Sequence, residues 1–494
     1  MNNLNLAVAY PEIFVAVATC VILLIDMFLD EARRNITYGL SLLTLAIAAL
    51  LTCANMGAAT EYAFNDMFVS DALSDLLKLF CYLALGLTFI YSRQYMNARG
   101  LLGGLLGGEF YTLSLFSLLG QMIMISGNSL LTIYLGLELM SLPIYALVAL
   151  RRDHIPATEA AMKYFVLGAL ASGFLLYGMS MLYGATGTLI LSDLGQAIAA
   201  GSEYRMVLLM GLVFVVSGLA FKLGAAPYHM WVPDVYQGAP TSITLILGAA
   251  PKLAAFAIVF RLLVEGLGAL AIDWQQMLIV LSVLSLAVGN ITAIAQTNIK
   301  RMLAYSTISH TGFMLLGFLG GVYDGSGIDA ATNAYSSALF YIIIYVLTTL
   351  GSFGVIMLLS RAGFEAENLE DFKGLNQRSP WFAAVMLILM LSLAGVPPLV
   401  GFYAKLAVLQ AVLQAGHLWL VVVAVLFSLV GAYYYLRVAR LMYFESPVDT
   451  ARIEVKPDMR IALSANGAAL LLLGVAPGPL MTLCVTVMSR TLIS

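Results

Sequence analysis

Residues 206–227 read MVLLMGLVFVVSGLAFKLGAAP, and they decide the class of fold. A run without a single charge, 206–221, leads into Lys222, and a proline follows at 227. About 20 apolar residues suffice to carry a helix across the hydrocarbon core of a bilayer. A proline inside such a run cannot donate to the carbonyl four residues back, here Leu223, and clashes with it. A lysine at membrane depth is costly and normally stands where it does something. The stretch therefore predicts a membrane helix interrupted at a working site.

The remainder of the chain fits that reading. Of 494 residues 61% are hydrophobic and 10% charged, with a mean hydropathy of +0.94. Soluble domains carry roughly 25% charged residues. A cytosolic enzyme, a disordered chain and a secreted disulfide scaffold are thereby excluded. Fourteen stretches are long and apolar enough to span: 9–29, 36–56, 71–92, 109–126, 129–149, 160–185, 206–226, 241–264, 275–296, 302–322, 332–359, 381–412, 416–440 and 461–488. They are too long and too evenly apolar for barrel strands, which alternate over about 10 residues. The fold class is an all-α polytopic membrane protein. The runs at 332–359 and 381–412 leave room for a bend or a re-entrant piece.

Basic residues orient the chain. Sixteen of its 24 Lys and Arg follow odd-numbered spans, among them Arg33, Arg34, Arg151, Arg152, Lys300, Arg301, Arg437 and Arg452. Only Arg205 and Arg490 lie on the other side. Cytoplasmic loops are the ones enriched in Lys and Arg, which places both termini outside. A net charge of −3 without a basic cluster gives no footing for nucleic acid. Residues 9–29 do not read as a cleavable signal, because Glu12 lies near their start and no basic segment precedes them. Cys20, Cys53, Cys81 and Cys484 stand singly in apolar stretches and read as small buried hydrophobes, not metal ligands. The glycine run 100–108, GLLGGLLGG, lacks the spacing of a nucleotide loop.

Six cations fall inside the spans: Lys78, Lys163, Lys222, Lys252, Arg261 and Lys405. Three have local explanations. Lys78 follows Asp75 by three and is expected to pair with it. Arg261 precedes Glu265 by four at a helix end, where it can pair and snorkel. Lys163 follows Glu159 by four. Lys222, Lys252 and Lys405 have no acid in their own helix. One acid reads as mid-membrane, Glu138 in LGLELMSLP, and it is the expected counter-ion of Lys222. A buried carboxylate with three buried amines suggests a chain of proton-carrying groups; static pairs between helices are the alternative.

The breakers repeat. Pro397 and Pro398, in LAGVPPLVGFYAK, free the carbonyls of Leu393 and Ala394 as Pro227 frees that of Leu223. Freed backbone groups at membrane depth need protein or a wet cavity beside them. Two broken helices in corresponding halves, each with a lysine, are the pattern of inverted-repeat transporters. Removing Pro227 is expected to let its helix run on. His229 lies seven after Lys222, on the same helical face if the break is short, with Asp234 and Tyr236 leading towards the cytoplasmic side. His310, in YSTISHTGF, is the other relay candidate, since histidine titrates near neutral pH.

The stretches 221–242 (FKLGAAPYHMWVPDVYQGAPTS), 295–313 (AQTNIKRMLAYSTISHTGF), 135–143 (LGLELMSLP) and 391–406 (LSLAGVPPLVGFYAKL) resemble the antiporter-like membrane subunits of respiratory complex I. The resemblance covers about 109–443. It implies fourteen helices with two inverted five-helix repeats at 109–264 and 275–440. Three N-terminal helices within 1–108 and a C-terminal helix at 461–494 flank them. It implies a hydrophilic mid-membrane axis with Glu138 on the fifth helix, Lys222 on the seventh, Lys252 on the eighth and Lys405 on the twelfth. No cofactor is implied in this chain; FMN, iron–sulfur clusters and quinone would belong to partner subunits. Those partners would be the other membrane and peripheral subunits of the complex, including neighbouring antiporter-like subunits. The location implied is a bacterial inner membrane with periplasmic termini. Moving one proton against 100 mV takes ~2.3 kcal/mol, which chemistry elsewhere would supply. A cation/proton antiporter subunit of the Mrp type shares the same repeats, and a structural spacer with decayed proton sites is a third reading.

Overall fold

Each of the fourteen stretches is helical. The computed structural model describes residues 4–30, 33–57, 59–101, 107–201, 204–321, 328–448 and 453–493. Arg452 and positions 102–106 of the glycine run lie outside the described residues. In chain order the elements are α1 (Tyr10–Asp26), α2 (Asn35–Asn55), β1 (Glu61–Ala63), β2 (Phe68–Ser70), α3 (Ala72–Ala98), α4 (Glu109–Ile125), α5 (Leu130–Val148) and α6 (Ile155–Thr186). There follow α7 (Leu191–Ala199), α8 (Arg205–Leu223), α9 (Trp231–Gly238), α10 (Thr241–Gly248), α11 (Ala250–Val259), α12 (Ala271–Ile294), α13 (Ile299–Leu319) and α14 (Ile328–Leu359). The chain continues through α15 (Leu375–Arg378), α16 (Pro380–Ala394), α17 (Val400–Gln414), α18 (Leu418–Phe444), α19 (Pro457–Val475) and α20 (Gly478–Ile493).

Among the described residues, twelve helices are long and apolar enough to cross a membrane. The other two expected spans are the short α4 and the pair α16–α17, which share the run 381–412 across a break. The last run, 461–488, is bent. α19 ends against the α16–α17 break, where a Cβ on Gly474 would stand 2.5 Å from the Pro398 carbonyl. α20 then packs along α14 and α3 instead of folding back on α19.

Three departures from the sequence reading stand out. Residues 332–359 hold no break, because α14 is continuous. Residues 241–264 are interrupted, at Ala249 between α10 and α11, and the helix ends in a π-turn over Phe260–Gly266. Pro251, at the start of α11, lacks the N–H that a continuous helix would need there. A small hairpin, β1 against β2, fills the α2–α3 connection.

Interhelical packing relies on small residues, as expected where lipid supplies no hydrophobic drive. A Cβ on Gly178 of α6 would lie 2.7 Å from the Gly211 carbonyl of α8, so those two backbones touch. α10, α11, α13 and α14 form the buried centre, while α1, α2, α6, α18 and α19 are largely peripheral. Cys81 and Cys484 are buried as expected. Cys20 and Cys53 are exposed, because they lie on the outward apolar faces of α1 and α2.

Candidate functional site

Both breaks close in the same way. α8 ends at Leu223, and Gly224 takes a left-handed φ of 75°, which a side chain would disfavour. The Ala225 N–H bonds the Ala220 carbonyl (2.8 Å) and the Gly224 N–H bonds that of Phe221 (2.9 Å). This double closure is the Schellman pattern. α16 repeats it at Gly395 (φ 82°), with Val396 on Leu391 (3.0 Å) and Gly395 on Ser392 (3.0 Å). The helix therefore stops one turn before Pro227. The expectation that Pro227 sets the break is corrected: it lies outside α8, in the turn that Gly224 has already opened.

The closure leaves the capping residue's own carbonyl free at the negative end of the helix. A lysine takes it in each case. Lys252 Nζ, from α11, donates to the Leu223 carbonyl at 2.7 Å, and Thr311 Oγ1 donates to the same oxygen at 3.2 Å. Lys405 Nζ, from α17, donates to the Ala394 carbonyl at 3.0 Å and to Ser428 Oγ at 2.9 Å. Side chains serve the end of α8 at the first break too. Trp231 Nε1 donates to the Phe221 carbonyl (2.9 Å), and the Ala226 N–H donates to Ser285 Oγ (2.9 Å).

Lys222 sits on the last turn of α8. Its Nζ donates to Ser141 Oγ (3.1 Å) and Tyr145 Oη (3.4 Å) on α5. No ion pair joins it to Glu138 among the described residues, so the direct pairing expected from sequence is replaced by this hydroxyl contact. Glu138 lies one turn from Ser141, half-buried, and its Oε1 has no hydrogen-bond partner among the described residues. It shares an outward stripe of α5 with the exposed Leu131, Leu135 and Leu142. A cavity of about 20 Å³, lined by Lys222, Lys252, Trp231 and Tyr164, separates the first two lysines; that is room for about one water. Each lysine also lies near an aromatic ring: Lys222 is 5.9 Å from Tyr145, Lys252 6.0 Å from Trp231, and Lys405 5.1 Å from Phe313.

His310 is buried on α13, its ring nitrogens 2.6 Å from Tyr341 Oη and 3.0 Å from Tyr435 Oη. A second cavity, about 10 Å³, is lined by both His310 and Lys405. Thr311, next in sequence, joins this helix to the Leu223 carbonyl. The structure thus links Lys222 to Lys252 by one cavity, Lys252 to α13 through the Leu223 carbonyl and Thr311, and His310 to Lys405 by the other cavity. His229 falls outside this series: it lies in the turn after the break, with Nδ1 buried and without a hydrogen-bond partner among the described residues. The turn is too long to keep it on the Lys222 face.

The other intramembrane cations are held in ion pairs, with two corrections to the sequence reading. Lys78 pairs with Glu12 of α1 at 2.6 Å, not with Asp75, and both partners are buried. Glu12 is thus a buried acid, like Asp71 and Asp75, that its position near the chain start concealed. Arg261 does pair with Glu265 (2.6 Å), but it does not snorkel. It is 2% exposed and also holds Asp71 (2.7 Å). Lys163 pairs with Glu159 as expected and with Asp234, both at 2.8 Å; Arg301 grips Asp234 from α13 at 2.7 Å. A further polar group unites Glu365, Glu367, Arg99, Lys300 and His154 around a small cavity. Burial and then the Arg151 guanidinium hold His154 below the usual histidine value.

A helical membrane bundle whose two Schellman-closed breaks are each gripped by a buried lysine defines the antiporter-like class of membrane subunit. Residues 127–431 match the family model described as NADH:quinone oxidoreductase/Mrp antiporter, TM. The chain is 68% identical to NADH-quinone oxidoreductase subunit N of Herminiimonas arsenicoxydans over the full length of both. It is 57% identical to that of Nitrosomonas europaea over 98% of each. Among solved structures it resembles a chain of respiratory complex I from Thermus thermophilus with bound aureothin, with 34% identity, coverage of 96% and 98%, and a TM-score of 0.78. It also shares its fold with a chain of an Mrp complex from a Dietzia species, with 19% identity, coverage of 99% and 98%, and a TM-score of 0.84. The chain belongs to the NADH-quinone oxidoreductase subunit N family.

Proposed function

We propose that this chain moves protons across a bacterial inner membrane within an NADH:quinone oxidoreductase, through Glu138, Lys222, Lys252, His310 and Lys405. The observation that carries the reading is the lysine on each freed carbonyl. An amine donates a hydrogen bond in either protonation state, but a charged donor is worth about 1.5–3 kcal/mol and a neutral one about 0.5–1.5. Loss of a proton from Lys252 or Lys405 therefore loosens its hold on a helix end without removing it. The gain is felt at the negative pole of α8 or α16. Proton occupancy and the geometry of the break are coupled by that difference.

The shared closure at Gly224 and Gly395 supports two equivalent halves, at 109–264 and 275–440, flanked by helices within 1–108 and at 461–494. The exposed stripe of Leu131, Leu135 and Leu142 beside the half-buried Glu138 supports a neighbouring membrane subunit against α5, which would finish the burial of a carboxylate that is costly at membrane depth. The excess of Lys and Arg after odd spans supports periplasmic termini. His229 keeps at most a supporting place beside the first break.

Arginine substitution tests the relay. Its guanidinium holds its proton at any accessible pH. Lys252→Arg and Lys405→Arg should stop pumping by assembled complex in membrane vesicles, whereas a static pair would survive them. Wild-type pumping by both variants would sink the relay. Co-purification with flavin-bearing peripheral subunits separates this reading from an Mrp-type antiporter, for which small antiporter subunits would accompany the chain instead.

A further inference from the structure

α11, which carries Lys252, is a wholly buried rod cut loose at one end. Ala249 breaks its backbone from α10, and Pro251 brings no N–H to its first turn. Four of its ten residues are alanine (Ala250, Ala254, Ala255 and Ala257), so its apolar surface offers few knobs to fix its place along its own axis. Apolar burial is in any case non-directional. That place is therefore set by directional bonds. At the near end these are Lys252 on the Leu223 carbonyl and the weak donor Cys81 Sγ on the Ala250 carbonyl (3.8 Å). At the far end, nine residues and roughly 13 Å along the helix from Lys252, stands Arg261.

Arg261 is 2% exposed and spends its guanidinium on three elements. Nη2 holds Asp71 (2.7 Å), which itself caps α3 through the Ser74 N–H (2.9 Å). Nε holds the Ile125 carbonyl at the end of α4 (3.3 Å), and Nη1 holds Glu265 in the π-turn (2.6 Å). Buried ion groups are often no more stabilising than apolar residues of the same volume; three directional bonds do fix a position. A lysine whose grip weakens when its proton leaves cannot also be what places its helix. Arginine keeps its charge at any accessible pH, and its planar fork fixes geometry.

We infer that Arg261 is the positioning residue of Lys252. By tying the far end of α11 to the ends of α3 and α4, it holds Lys252 Nζ within reach of the Leu223 carbonyl in either protonation state. The inference rests on the function proposed above, which puts Lys252 in the relay.

The test uses the intact complex in membrane vesicles. Arg261→Met with Asp71→Asn removes both charges together, and Asn still caps α3, so complex content on native gels should stay near normal. Pumping should nevertheless fall several-fold, because Lys252 no longer meets its carbonyl in both states. The discriminating readout is heat resistance combined with Thr311→Val. Arg261 shares no partner with Thr311, and sites so separated normally add. With Lys252 adrift, Thr311 is the remaining donor on the Leu223 carbonyl. Adding Thr311→Val to the Arg261→Met/Asp71→Asn variant should then lower heat resistance by more than the sum of the two effects. In a Lys252→Met background that excess should vanish. Should Arg261→Met/Asp71→Asn not assemble, Arg261→Lys decides: its ammonium keeps the Asp71 pair but cannot span all three partners, and the same excess with Thr311→Val is expected. Additive heat resistance or normal pumping by the assembled variant, with Lys252→Met impaired, would overturn the positioning role and leave the relay standing. Normal pumping by Lys252→Met as well would bring down both.

Discussion

Removing the two donors of the Leu223 carbonyl one at a time, and then together, tests whether the first break depends on them. In Lys252→Met the oxygen keeps Thr311 at 3.2 Å, and in Thr311→Val it keeps Lys252 at 2.7 Å. Each single variant therefore leaves the carbonyl bonded. Lys252→Met also relieves the desolvation of a buried amine, worth several kcal/mol in the ionised form, so it should be neutral or stabilising for the assembled complex. The double variant strands a buried carbonyl, at about 1–3 kcal/mol. That excess over the sum of the singles is a coupling energy, equivalent to roughly a 5- to 150-fold shift in an equilibrium. The assay is the fraction of complex surviving graded heating on native gels, beside pumping in vesicles. Pumping should fail wherever Lys252 is absent; heat resistance of the double variant should fall below the sum of the two single effects. Additive heat resistance would refute the account of the break.

Glu138→Gln should lower pumping with complex content unchanged, because no ion pair depends on the carboxylate; wild-type pumping would dismiss its relay role. Glu12→Gln strands Lys78 and should cost about 3–5 kcal/mol, seen as reduced complex content that Glu12→Gln/Lys78→Met restores. Pro227→Ala should leave α8 no longer and assembly intact. Gly224→Ala should damage assembly, since its Cβ would meet Val232 Cγ2 at 2.6 Å in a left-handed backbone; equal content of the two variants would show that Gly224 does not set the break.

The spans were legible because charge-free runs of helical length have few other uses, and the break at 397–398 because two prolines stand inside one. Where each helix stops was less legible. Pro227 is the conspicuous breaker, but Gly224 and Gly395 act first, and a glycine in a sequence carries no sign of its φ. The interruption at Ala249 had a signal in Pro251 that the long apolar run around it outweighed. Lys78 was assigned to Asp75 by proximity in sequence, whereas its partner Glu12 is on another helix, and tertiary pairs of that kind leave no local trace. The hydroxyl contacts of Lys222 were hidden for the same reason: Ser141 and Tyr145 look like ordinary helix residues until α5 is laid beside α8.

Because glycine and backbone amides alone close each break, the trace of α8 and α16 does not depend on the lysine that grips it. Errors at the two kinds of position should therefore be inherited differently. A cell carrying both normal and altered copies would lose little from a Gly224 variant that never joins the complex, since the normal copy fills the vacancy. A Lys252 variant, in which Thr311 still holds the Leu223 carbonyl, joins as readily as the normal chain, occupies its place and idles there, so it should behave as a dominant poison whose severity scales with its share of expression.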